Sequence, residues 1–251
     1  MKTIDILDIA IHAINMDDAA KHIFHWIESN QQHYVCVRDI HGIVLSQTND
    51  ILKQIHAHSG LTVPDGMPLV RIGRWLGHGN MDRVYGPDLM HHLCKMSVKK
   101  GYTHCLYGGK SQYQAQTIQQ KLKQQYKGIQ ITGAFCPPYD SFKSFDDHRF
   151  MRHIRDKQPN IIWIGVSTPK QEYIMMHLHR QSESNVLIGV GAAFDILSGV
   201  RNDAPQWIKT LCLQWLFRLL QEPSRLGPRY LKTIPTFFGL LIQDMIKRQK
   251  D

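Results

Sequence analysis

The feature that most constrains the fold is an alternation of short apolar runs, rich in β-branched and aromatic residues, with longer amphipathic segments. Runs at 33–38 (HYVCVR), 103–109 (THCLYGG), 129–135 (IQITGAF), 160–166 (NIIWIGV) and 185–194 (NVLIGVGAAF) read as strands, most of them too apolar to leave one face in water. Between them, residues 17–30, 88–100, 111–126, 145–157 and 169–181 carry helical patterning. Strand, helix, strand at this spacing predicts an α/β fold: a Rossmann-like, largely parallel sheet with helices on both faces. After Gly199 the alternation stops. Two helical segments follow, 208–221 and 235–249, and prolines at 223, 228 and 235 are expected to break the region into pieces. The expected organisation is an α/β core over residues 1–199 and a helical appendage over 200–251. Ligands in open α/β sheets sit beyond the carboxyl ends of the strands, so the segments just after each strand are the places to look.

At 251 residues the chain can bury a full core without staples. Its five cysteines, Cys36, Cys94, Cys105, Cys136 and Cys212, are odd in number and lack CxxC spacing. That argues against a zinc site and for buried thiols in a reducing compartment. Acidic residues interrupt the apolar run of MKTIDILDIAIHAINMDDAA, unlike a secretory signal, and no run reaches the ~18–20 apolar residues that span a bilayer. The expected location is cytoplasmic, or on the cytoplasmic side of a membrane. The net charge is +9, and from Gln206 to Asp251 eight Lys/Arg face three Asp/Glu. This asymmetry points to an anionic partner: nucleic acid, phosphate or an acidic lipid surface.

Three strand ends carry candidate chemistry. In Ser167-Thr-Pro-Lys-Gln-Glu172, Thr168 is expected to cap a helix opening at Pro169, with Gln171 and Glu172 on its first turn facing the crevice; an ordinary cap with a surface Gln-Glu pair is the plainer reading. In Gly189-Val-Gly-Ala-Ala-Phe-Asp195, small residues including Gly191 let a ligand approach, and Asp195 offers an acceptor for a sugar hydroxyl; tight packing explains the small residues equally well. In Thr62-Val-Pro-Asp-Gly66, Asp65 is either turn chemistry or a general base at a strand end. Arg83 is a candidate phosphate ligand, with a surface ion pair to Asp82 or Asp88 as its alternative. Of the fifteen histidines, none has HExxH or comparable ligand spacing, and no Asp-x-Asp is present, so no metal or other cofactor is expected. His41, just after the first strong strand, is kept as a site candidate.

The motifs PDGMP (64–68), DRVYGPDLM (82–90), LYGGK (106–110), STPKQE (167–172), GVGAAFD (189–195) and QWLFRLLQEPSR (214–225) occur in one order. Together they resemble the WecG/TagA/CpsF family of bacterial glycosyltransferases over about residues 33–238. The resemblance implies an inverting, metal-independent enzyme of hexosyl or N-acetylhexosaminyl type. It would move a sugar from a UDP-sugar onto a saccharide carried by undecaprenyl diphosphate, at the inner face of the cell membrane, in cell-envelope or capsular polysaccharide synthesis. It implies Asp65 as general base, Arg83 near the leaving diphosphate, and Gln171 and Asp195 in the nucleotide-sugar pocket. Many members carry Thr-x-Asn where this chain has Val37-Arg38-Asp39, so Asp39 keeps an acceptor but loses the amide donor. The resemblance also implies an appendage that closes over the site and meets the membrane. Arg218, Arg225 and Arg229 then become candidate clamps for diphosphate, and the apolar stretch 237–246 with Lys247, Arg248 and Lys250 an interfacial segment on anionic lipid. The alternative is a helix pair packed on the core or on another subunit. A non-catalytic basic module for nucleic acid or an anionic membrane is the rival from another class; no nucleic-acid recognition motif is present, and no nucleic-acid partner is expected.

Overall fold

Residues 1–138, 147–182 and 186–248 are described by a computed structural model of the chain. Two short strands open it, β1 (Thr3–Ile6) and β2 (Ile9–His12), followed by α1 (Met16–Glu28), β3 (His33–Arg38), α2 (Ile40–Ser46), α3 (Asp50–Ala57), β4 (Leu61–Pro64), α4 (Met67–Trp75) and α5 (Gly86–Lys100). The chain continues through β5 (Thr103–Gly108), α6 (Gln112–Gln125), β6 (Gln130–Phe135), α7 (His148–Lys157), β7 (Ile161–Gly165), α8 (Lys170–Gln181), β8 (Val186–Gly189) and α9 (Ala193–Ser198). It ends with α10 (Gln206–Thr210), α11 (Gln214–Gln221) and α12 (Pro223–Arg248). The expected helix at 145–157 begins, at Phe145, outside the described residues, as do Asn185, Gln249 and Lys250 of the expected end segments.

Six strands form one sheet in the order β4-β3-β8-β7-β5-β6, and every neighbouring pair is parallel. This is the α/β architecture expected from the alternation. Successive side chains of a strand point to opposite faces, and here both faces are covered. Val35, Leu106, Trp163 and Ile188 join one cluster with α1, α5 and α6 residues such as Ile23, Leu93 and Ile118. Tyr34, Cys105, Tyr107, Ile162 and Ile164 join the opposite cluster with Phe150 of α7 and Ile174 and Met175 of α8. Cys36, Cys94 and Cys105 are buried thiols; Cys136 and Cys212 are only partly buried, because one follows edge strand β6 and the other lies between appendage helices.

A third cluster lies beside the sheet. The stretch IDILDIAI alternates buried and exposed residues and folds as an antiparallel hairpin, turning at Leu7 and Asp8, both at positive φ as a type I′ turn requires. Ile4, Ile6, Ile9 and Ile11 then pack with Ile43, Leu69, Met81 and, from α12, Phe237. The prolines do not all break the chain as expected. Pro223 does separate α11 from α12, but Pro228 and Pro235 lie inside a single 26-residue helix. An interior proline costs ~3 kcal/mol, and burial of Leu226, Thr233 and Phe237 along one side of α12 opposes that cost.

Candidate active site

Residues just beyond all six strands of the sheet line one cleft of about 600 Å³: Asp39 after β3, Asp65 after β4, Lys110 after β5, Cys136 after β6, Gln171 after β7 and Asp195 after β8. The appendage closes one side with Arg218, Arg225 and Arg229. Glycines let these turns converge. A Cβ on Gly108 would stand 2.5 Å from the Gly165 backbone, and one on Gly86 3.0 Å from the Val190 carbonyl. The turns after β5, β7 and β8, and the start of α5, can therefore approach only because these residues lack side chains.

Asp39 and Asp65 are neighbours because β3 and β4 run in register, Arg38 opposite Pro64. Asp39 caps α2, its Oδ1 accepting from the Gly42 amide at 3.0 Å, and its Oδ2 lies 3.3 Å from Arg229 Nη2. Burial raises its pKa, but Arg229, the Gly42 amide and Arg38 outweigh that and hold it below the ordinary aspartate value. Asp65 is tied to Arg83, which donates Nε to the Asp65 carbonyl at 2.5 Å and Nη2 to Oδ1 at 3.2 Å, while stacking over Tyr85 at 4.2 Å. Arg83 thus pairs with neither Asp82 nor Asp88; those meet Arg74 and Lys209. Burial raises the Asp65 pKa, helped by the charge of Asp39, and the arginines 83 and 218 reverse this only in part. Two adjacent carboxylates with pKa values pushed in opposite directions are the arrangement in which one stays ionised and the other exchanges a proton.

Thr168 does not cap the helix as expected. The N-cap position of α8 is Pro169, with no side-chain cap, and the Thr168 hydroxyl donates instead to Glu172 Oε1 at 3.2 Å. Gln171 and Glu172 do not share the crevice either. Consecutive helix positions point about 100° apart, so Gln171 lines the cleft while Glu172 is fully buried and ion-paired with Arg38. Gly191 donates its amide to Gln171 Oε1 at 2.9 Å and lines the cleft. His41 does not line it; its Nδ1 lies 3.3 Å from Thr233 Oγ1 of α12, and burial beside Arg229 pushes its pKa down to about 4.

Asp195 sits in a cluster the sequence did not reveal. Arg201 Nη2 meets its Oδ2 at 2.9 Å, Lys110 Nζ approaches at 3.6 Å, and Gln114 donates to Oδ1 at 2.9 Å. Arg201 also reaches Glu222 at 2.5 Å, and Glu222 holds Arg225, so one chain of ion pairs joins the core to the appendage. Arg218 and Arg225, seven positions apart, sit on separate helices, yet both face the cleft. Among the described residues the Arg218 side chain makes no hydrogen bond or ion pair, although Tyr230, Tyr85 and Asp65 lie near it and, against the effect of burial, raise its pKa. An arginine in a cleft without a contact partner is suited to an anionic ligand. Among the described residues no group of three or more His, Cys, Asp or Glu side chains is arranged to hold a metal ion, and no helix is long and apolar enough to cross a membrane.

Comparison with known proteins brings these features together. The family model described as "Glycosyl transferase WecG/TagA/CpsF family" matches residues 4–251. A Bacillus spizizenii protein named N-acetylglucosaminyldiphosphoundecaprenol N-acetyl-beta-D-mannosaminyltransferase is 27% identical over 195 residues, covering 78% of this chain and 73% of its own. A Staphylococcus aureus (strain MW2) protein of the same name is 24% identical over 236 residues, covering 93% of this chain and 90% of its own.

Proposed function

Because the chain belongs to the WecG/TagA/CpsF family of glycosyl transferases, we propose that it transfers a sugar from a UDP-sugar to a saccharide on undecaprenyl diphosphate, with inversion at the anomeric carbon. The observation that carries the reading is the Asp65 carboxylate, raised in pKa and held by Arg83 just after β4, facing a cleft that also presents Arg218, whose side chain has no partner among the described residues. Two relatives are named for transfer to N-acetylglucosaminyldiphosphoundecaprenol, an acceptor with the same diphosphate group.

In this reading Asp65 accepts the proton of the acceptor hydroxyl as that oxygen attacks the anomeric carbon. The bond from this carbon to the UDP oxygen breaks on the opposite side, and the configuration inverts. Negative charge develops on the departing diphosphate, where Arg218 meets it without a metal ion; Arg225 and Arg229 line the same cleft but are held by Glu222 and Asp39, and Arg83 holds Asp65. Asp195 and Gln171, which line the same cleft, take the nucleotide sugar's polar groups, with Thr168 and Gly191 also in the lining. Glu172, being buried, is left out of direct contact.

The exposed apolar side chains of the appendage support a membrane-facing role. Trp207, Trp215, Leu220, Leu231, Phe238, Ile242 and Ile246 all stand in solvent, while Lys232 and Lys247 lie along the same helix as the last four. A helix of this kind settles in the headgroup region of an anionic leaflet rather than spanning it. The enzyme would then work peripherally at the inner face of the cell membrane, in polysaccharide synthesis of the cell envelope or capsule. The test is to offer purified protein a panel of UDP-sugars with short-chain polyprenyl-diphosphate saccharides and to read product mass and anomeric configuration. An inverted disaccharide lipid is expected; a retained configuration, or transfer to water alone across the panel, contradicts the proposal.

A further inference from the structure

Beneath the cleft floor lies a buried ion pair that the proposed chemistry does not use. Arg38, 1% exposed, ends β3, and its guanidinium lies under α2, where a Cβ on Gly42 would come within 2.3 Å of Nη1. Its partner Glu172, 0% exposed, gathers three donors on one oxygen: Arg38 Nη2, Thr168 Oγ1 at 3.2 Å and Gln171 Nε2 at 2.7 Å. Arg38 Nε and Glu172 Oε2 are buried with no hydrogen-bond partner among the described residues. A buried pair left partly unsatisfied is poor for stability; well-packed apolar residues of similar volume do as well or better. Its geometry has one clear consequence. With Nε2 drawn down to Glu172, the Gln171 carboxamide must turn Oε1 up, and there it accepts the Gly191 amide at 2.9 Å.

We propose that Arg38 and Glu172 are positioning residues for ligand binding: they lock Gln171 so that it fixes the Gly191 turn and meets the ligand as a hydrogen-bond acceptor. The amide hydrogens of Gln171 are committed to Glu172 and, at 3.4 Å, to Thr168, so the free capacity on the cleft side is the second lone pair of Oε1. Gln171 therefore selects a hydroxyl or N–H group of the ligand, not a carbonyl or phosphate oxygen. The ligand half of this inference rests on the nucleotide-sugar reading; the Gln171–Gly191 half does not.

The test uses the full chain carrying Arg38→Met together with Glu172→Met, which removes both charges and leaves neither buried alone. The double variant should unfold cooperatively, exchange its Gly191 amide faster than wild type, and show an apparent KM for the UDP-sugar raised on the order of tenfold, the scale of one lost hydrogen bond, with kcat changed less. Gln171→Ala should raise KM similarly, and adding it to the double variant should raise KM no further, because all three changes remove the same contact. Additive effects, or an unchanged KM, would show a merely structural pair and overturn the inference. Unaltered Gly191 exchange would overturn it whatever the ligand is. Should wild type bind no UDP-sugar while Gly191 exchange responds as expected, the functional reading and the ligand half fail together.

Discussion

Asp39 and Asp65 end adjacent strands, yet their surroundings treat them differently: Arg229 and the Gly42 amide keep Asp39 charged, while burial and the charge of Asp39 itself raise Asp65. If Asp65 is the base, kcat/KM should rise with pH through an acid limb lying above the ordinary aspartate value, because the raised pKa must be exceeded before the carboxylate can take a proton. Asp39→Asn removes the neighbouring negative charge and frees Arg229, both of which favour ionised Asp65. The limb should therefore move to lower pH; a shift upward or no shift would contradict the coupling. The place of Asp65 in the cleft was legible in the sequence, because residues just after parallel strands gather at one crevice. Thr168 lines the cleft but does not cap α8, and Glu172 is buried, because a helix start one residue later and a burial partner 134 positions away at Arg38 leave no local mark. Arg201 and Tyr85 were missed. Arg201 carries only a positional signal, just after the glycine that ends α9, whereas Tyr85 lies within the motif DRVYGPDLM, directly before the glycine that opens α5.

At the scale of elements, the six parallel strands depend on close approaches at their carboxyl ends. A Cβ at Gly165 would fall 2.2 Å from the Phe194 ring, so Gly165→Ala should destabilise by ~1–3 kcal/mol through overpacking, seen as a lower denaturant midpoint. Helix α12 is held differently. Phe237, fully buried among hairpin, α2 and α4 residues, is its main apolar tie to the core. Phe237→Ala should cost ~3–5 kcal/mol where α12 docks. Faster amide exchange along α12, with the sheet still protected, is the expected signature; loss of protection throughout would mean that appendage and core unfold together. The parallel strands were readable because an apolar run between amphipathic segments has few alternatives. The unbroken course of α12 was not, because proline's local cost is visible in sequence and the opposing burial of Leu226, Thr233 and Phe237 is not. The hairpin was legible in principle, since IDILDIAI alternates with period two, but its Leu-Asp turn lacks the usual Asn-Gly signal.

For the whole molecule, buried histidines set a pH limit on stability. Burial pushes His56 down to about 3 and His104 down to about 4, so both are neutral when folded and would take up protons on unfolding below about pH 6.5. The unfolded state then binds more protons, and stability should fall by ~1.4 kcal/mol per pH unit for each histidine between about pH 6 and pH 4. Thermal unfolding across that range, compared with His104→Gln, checks the slope. The appendage links site and surroundings: ion pairs from Asp195 through Arg201 and Glu222 to Arg225 tie it to the cleft, and its exposed surface carries large apolar side chains beside lysines. Deleting residues 206–251 should reduce both binding to anionic liposomes and sugar transfer; if neither changes, the appendage is structural only. The most direct test of the account is sugar transfer by Asp65→Ala protein, measured beside its affinity for UDP. The account predicts transfer reduced by about 10²- to 10⁴-fold with UDP affinity and unfolding midpoint close to wild type. Full turnover by that variant would contradict it.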